Sequence, residues 1–194
     1  MAYDCTAGVA KTITSDCSTQ HIGGVEDTAW IFSRKTYRNS FTFDSTSPNK
    51  VTAIAPVATK QGYLVKGVKQ LLDGGHDLDS AVDRADRYTH YVAFQQFEVA
   101  SADILNVDAL EDVFIVFERK HKTSDGDGVF VGYGLGCGLN KSNSNKRENA
   151  VDGARIIELT TPEGAAEKYS EFTIHATTYQ GTLDMLNGLM TPPA

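Results

Sequence analysis

The residues of this 194-residue chain best able to ligate a metal or attack a substrate are five histidines and three cysteines. The histidines, His21, His76, His90, His121 and His175, never stand at metal-ligand spacing from one another. Cys5, Cys17 and Cys137 form neither a C-x-x-C pair nor a four-ligand zinc set, so no metal is expected. A Cys5–Cys17 bridge is conceivable. The start of the chain, however, lacks the basic and apolar regions of an export signal, and three free thiols in a reducing compartment are expected instead. No H-E-x-x-H zinc helix or G-x-S-x-G nucleophile elbow occurs.

Phosphate-binding loops fail on specific residues. Gly62 to Gly67 has the first spacing of a P-loop, but Val68 follows where a lysine and a hydroxyl must meet phosphate and magnesium. The run Gly132, Gly134, Gly136, Gly138 does not fit G-x-G-x-x-G, and a polar Asn/Ser stretch follows it where a helix should start. Its small residues read as a bend, a bulge or a close backbone approach. Carboxylates offer one cluster: His76 and Asp77 with Asp79, Asp83 and Asp86. Such a set could hold a hard cation, but the glycine-centred twelve-residue calcium loop is missing. The alternative is a solvated acidic segment, with Asp83 and Arg87 as an i,i+4 pair if it is helical. Asp125-Gly126-Asp127-Gly128 starts like a calcium loop, lacks the bidentate glutamate, and reads as a hairpin turn. No catalytic, metal or cofactor residues are therefore assigned, and the chain is not expected to be an enzyme.

The elements around these residues are short β-type runs broken by Gly, Asp, Asn and Pro. Strands are expected at Asp27–Arg34, Tyr37–Asp44, Val51–Pro56, Gly62–Gln70, Tyr88–Val99, Asp112–Glu118, Val129–Gly136, Ala154–Thr161 and Lys168–Ala176. In the last, Phe172, Ile174 and Ala176 alternate with a wet face of Tyr169, Glu171, Thr173 and His175. Ser101 caps an expected helix to Leu110, the natural cover for the five-residue apolar run Val113 to Phe117. Leu183, Leu186 and Met190 mark a weak helix that Gly181 and Gly188 disfavour. Leu139–Ala150 reads as a mobile polar loop. An antiparallel β-sandwich or open barrel with one flanking helix follows: an N-terminal arm over 1–25, then one β-rich domain over 26–194.

Composition bounds the partners. With 18 Lys+Arg against 25 Asp+Glu the net charge is −7, which argues against gripping phosphate backbones. The longest charge-free stretch, Gly128–Asn140, has 13 residues, short of the roughly 18 needed to span a membrane.

The chain resembles the tail tube and related virion structural proteins of tailed bacteriophages. The resemblance rests on the small-residue arm from Asp4 through Cys17 to Val25 and on the unit Tyr88–Val99, helix Ser101–Leu110, strand Asp112–Glu118 and hairpin. The closing stretch Gly153 to Gly164, followed by a strand ending at Ala176, completes it. It implies a β-sandwich or barrel protomer, six of which close a ring. Rings stack into a hollow tube with an acidic lumen that passes DNA without specific binding. It also implies other tail or neck proteins as partners, a place in the virion and synthesis in the host bacterial cytoplasm. A head or neck protein (decoration or connector) and a carbohydrate-binding β-sandwich presenting Trp30 and some tyrosines are the alternatives. The segment Asp73–Arg87, five aspartates and two arginines for a net of −3, is expected to be poorly ordered in the free protomer, like the arm Met1–Val25. Asp77, Asp79, Asp83, Asp86 and Arg87 are its candidate assembly contacts, facing Lys141, Lys146 and Arg147 of a neighbouring copy. A solvated loop with no partner is the other reading.

Overall fold

A computed structural model of the chain describes residues 22–58, 62–66, 72–81, 84–97, 100–146 and 153–190. They form two sheets. The larger has seven strands in the order β2 (Phe41–Phe43), β3 (Lys50–Ile54), β11 (Phe172–Ile174), β8 (Phe130–Tyr133), β7 (Val113–Arg119), β1 (Val25–Ser33) and β4 (Tyr63–Lys66). The smaller runs β5 (Asp73–Ala81), β6 (Arg84–Gln96), β10 (Arg155–Thr160) and β9 (Asn140–Lys146). Three helices accompany them: α1 (Arg34–Tyr37), α2 (Ser101–Asp108) and α3 (Tyr179–Gly188). The architecture is mainly β and sandwich-like. Every ladder is antiparallel except β11 with β3.

Strand β7 explains the layering. Its side chains alternate, so Val113, Ile115 and Phe117 face one way and Phe114 and Val116 the other, and all five are buried. The first set packs against Val92, Phe94, Ile157 and Leu159 of the four-stranded sheet. The second packs with Trp30, Phe32, Tyr37, Phe130 and Leu186. The central sheet thus has a core on each face, as a continuous apolar run demands.

The cover differs from the expected one. Helix α2 supplies only Val107 and its following Leu110 to the first core, while Leu105 is 67% exposed. The second face is closed by α3, the helix the glycines disfavour. There Leu186 is fully buried, Thr178 accepts from the Gly181 N–H at 3.0 Å, and the Trp30 indole donates to Asn187 at 3.1 Å. Gly181 is itself required, because a Cβ there would stand 2.8 Å from the Ala176 carbonyl oxygen. Burying a leucine contributes roughly 1.5–3 kcal/mol, which outweighs the roughly 1 kcal/mol cost of one helical glycine.

Three further expectations are overturned. Asp73–Ala81 is a strand, in register with β6 from Asp73↔Ala93 to Asp79↔Arg87, with a register shift before the Ala81↔Arg84 pair. The thirteen-residue β6, rich in β-branched and aromatic residues, supplies the ladder that the small and acidic β5 residues could not organise alone. Gly74 and Gly75 fit close approaches: a Cβ at Gly74 would meet the Phe117 ring at 2.8 Å, and one at Gly75 the Tyr91 ring at 2.6 Å. Within the expected loop Leu139–Ala150, residues Asn140–Lys146 form β9, paired along β10. His175, expected on a wet face, is buried, and its N–H donates to the Val51 carbonyl at 2.9 Å. Of the arm Met1–Val25, residues 1–21 lie outside those described.

Candidate functional site

The glycine-rich run Gly132–Gly138 is where polar chemistry is buried. His90, on the inward face of β6, is fully buried. Its Nδ1 accepts the Gly134 N–H at 3.0 Å, so Nε2 carries the proton and donates to the Tyr169 carbonyl at 2.9 Å. Burial holds its pKa down at about 4, and the ring is neutral at pH 7. Glu167, 1% exposed, accepts the N–H groups of Gly136 at 3.0 Å and Cys137 at 2.7 Å through Oε1. Burial raises its pKa against those bonds. The Cys137 thiol donates to the Ala166 carbonyl at 3.3 Å, and burial, with the Glu167 charge, pushes its pKa up. Arg34 completes the brace, its Nε on the Asp112 carboxylate at 2.6 Å and its Nη1 on the Gly136 carbonyl at 2.9 Å.

Every ring nitrogen and the thiol here are spent on backbone groups. A protonated thiol and an imidazole with both nitrogens engaged do not make a nucleophile and base. The arrangement fixes the turn that joins the two sheets. Among the described residues, no group of three or more His, Cys, Asp or Glu is placed to hold a metal ion. Nor is any described helix long and apolar enough to cross a membrane. Sequence reading missed this brace: His90 had a signal in its inward position on an alternating strand, whereas Glu167 had none.

The sequence-predicted contact residues lie on the four-stranded sheet. Asp77 and Asp79 are on β5, while Asp86 and Arg87 lie near the start of β6. Asp83 and Arg147 fall outside the described residues. Lys141 and Lys146 are on β9, the opposite edge. Two strands intervene, so the two sets stand about 14 Å apart across the sheet and do not meet within one protomer. Lys141 is committed internally. Its Nζ donates to the carbonyls of Val107 at 3.3 Å and Asp108 at 3.1 Å, where a cation suits the negative end of α2. Arg155 holds the same helix end through the Asp108 carboxylate at 2.5 Å, and that hydrogen bond lowers the carboxyl's pKa.

The sheet's outer face is the complement of its apolar inner one. Alternation and register place Asp73, Asp77, Asp79, Arg87, Thr89, Gln95, Glu158 and Thr160 there. The Asn143 amide donates to Glu158 at 3.0 Å, and the Asn145 amide to Asn143 at 2.8 Å. Four carboxylates stand against one guanidinium, and Tyr91 and Ile156 are the apolar interruptions. Trp30, by contrast, is 2% exposed and locked in the core, which removes it as a sugar-stacking platform. No protein family, curated protein or solved structure matches the chain.

Proposed function

We propose that the chain is a virion structural protein of a tailed bacteriophage, a tail tube subunit whose copies close into rings around a DNA-conducting lumen. The observation that carries this reading is the four-stranded sheet itself. Among the described residues its outermost strands, β5 and β9, have no further strand beside them and carry opposite charge beneath a polar, acidic outer face. Four successive antiparallel strands leave β5 and β9 running in opposite directions. The β9 edge of one copy therefore continues antiparallel into the β5 edge of the next, and a closed ring leaves neither edge of this four-stranded sheet unpaired. Asp73 to Ala81 contributes three aspartates, and Asn140 to Lys146 two lysines, so the joined edges attract rather than repel. Turned inward in a ring, the carboxylates and amides of the outer face would let DNA pass without gripping it, because like charge gives no counterion release. Ring size, taken as six, and partners among other tail or neck proteins follow from the family resemblance.

Electron microscopy and light scattering of the purified chain test the reading. Rings or tubes are expected, and the double variant D73K/D77K should abolish them while its circular dichroism stays that of the parent. A parent chain that remains monomeric at millimolar concentration refutes self-assembly. Closed rings that never stack indicate a connector-type subunit instead.

A further inference from the structure

The seven-stranded sheet ends in the short strand β4, and helix α2 lends the first core only Val107 and the following Leu110. The corner where β4, α2 and the end of β6 converge is left underfilled, and a cleft of about 640 Å³ opens there. Register and alternation decide what faces it. Ile31 pairs with Tyr63, so Ile31, Tyr63 and Val65 share the face of the large sheet turned toward β6. Phe94 and Gln96 share the inward face of β6 with His90. Val107, Leu110 and Val113 complete an apolar wall. Ile31, Phe94, Val107 and Val113 keep 5–9% exposure, whereas Ile115 and Phe117, in the same core, keep 1% or less. The volume lies in the roughly 300–1,000 Å³ range of sites that bury a small molecule. Tyr63, 62% exposed, stands at the mouth.

A polar group is buried in that wall. Gln96 is 9% exposed, and its Oε1 is buried with no hydrogen-bond partner. A closed-off, unpaired acceptor destabilises the free protein, so a donor brought to it relieves a cost that already exists. The last torsion of a glutamine is broad, and a turn about it carries Oε1 to the cleft. Charge narrows the ligand further. Lys66 follows Val65 and so points to the other face of β4, while Glu111 is an exposed carboxylate on the lining. Among the described residues, an anion would meet no cation inside the cleft and a like charge at its edge. We propose that this corner binds a small neutral molecule with an apolar body and an N–H or O–H donor that pairs with Gln96. A small molecule is the occupant because the acceptor lies within the wall, beyond reach of a flat protein surface. The site uses neither β5 nor β9, so it stands or falls apart from the ring reading. Occupancy ties β4, α2 and β6 together and stabilises the fold by mass action.

Indole and N-methylindole are the probes, since they share a ring system and differ in the donor. With the full chain labelled at its Ile, Leu and Val methyls, indole should shift the Ile31, Val65, Val107 and Val113 signals saturably and raise the melting temperature. N-methylindole should bind roughly fivefold more weakly, the net worth of one neutral hydrogen bond. Q96L should abolish that preference and leave the two probes within about twofold of each other. A109W, at an exposed position on the lining, should block both probes at an unchanged urea midpoint. Indole that gives no saturable shifts up to its solubility overturns the proposal, as does equal binding of the two probes by the parent. A preference for indole that survives in Q96L overturns it too. Shifts of the same methyls on concentrating the chain without a probe place a second copy in the cleft and overturn it likewise. A parent that stays monomeric yet binds indole with this preference supports the site and refutes only the ring reading.

Discussion

Acidification should loosen the joint between the sheets through His90. The imidazole is neutral in the fold, accepting from Gly134 and donating to Tyr169, and burial holds its pKa at about 4 against 6.5 when exposed. A proton on Nδ1 removes the acceptor and points two N–H groups at each other. Because the folded pKa lies below the unfolded one, the stabilisation is complete above about pH 6.5 and is lost as pH falls toward 4. Linkage between those two values gives a loss of roughly 2 kcal/mol by pH 5 and roughly 3 kcal/mol by pH 4. The window is diagnostic. The carboxyls of Asp44, Asp108 and Asp125 are lowered below 3.8 by their hydrogen bonds, so their contributions are lost only below about that pH. Glu167 acts in the opposite sense: its raised pKa means that acidification relieves the cost of its buried charge. Urea unfolding from pH 7.5 to 4 measures the slope, with E167Q as the background that removes the opposing group. On that background H90F leaves the Gly134 N–H and the Tyr169 carbonyl unpaired, costing roughly 2–6 kcal/mol at pH 7.5, and should remove most of the slope between pH 7.5 and 4.5. An E167Q chain that is flat over that window, or an H90F/E167Q chain that keeps the E167Q slope, refutes the buried neutral imidazole.

Other outcomes follow from the same structure. E167A strips the acceptor from the Gly136 and Cys137 N–H groups and should cost roughly 2–4 kcal/mol by urea unfolding, with E167Q losing less because its amide oxygen still accepts. L186A empties a fully buried site under α3 and should cost roughly 2–5 kcal/mol, lowering the denaturant midpoint without changing its slope. K141M removes the cation from the α2 carbonyls, and proteolytic cleavage within Ser101–Asp108 should accelerate while global stability falls by about 1 kcal/mol or less. Neither a chelator nor a reductant should shift the melting temperature by more than a degree, because the fold is expected to rest on packing rather than on metal or disulfide.

Local pattern determined a good deal of this protein. The apolar run Val113 to Phe117 required cover on both faces, and alternation in the strands around it fixed which side chains turn inward. Asp125-Gly126 marked the turn between β7 and β8, since Gly126 stands at a φ of 86° that only glycine adopts without strain. Those signals live within a few residues of one another, so the sequence displays them directly. What tertiary structure decided involved partners distant in the chain. The acidic β5 and the amide-rich β9 have little strand propensity, and they are strands because β6 and β10 offer them backbone ladders. Helix α3 forms against its glycines because Leu186 and Asn187 meet Trp30 and the second core, more than 150 residues away in sequence. The pairing of Glu167 with the glycine turn, and the commitment of Lys141 to α2 rather than to a neighbour, are of the same kind. Propensity sums energies along the chain, whereas a buried hydrogen bond or side chain is stabilised by whatever the fold brings beside it, and that neighbour is set only when the sheets close.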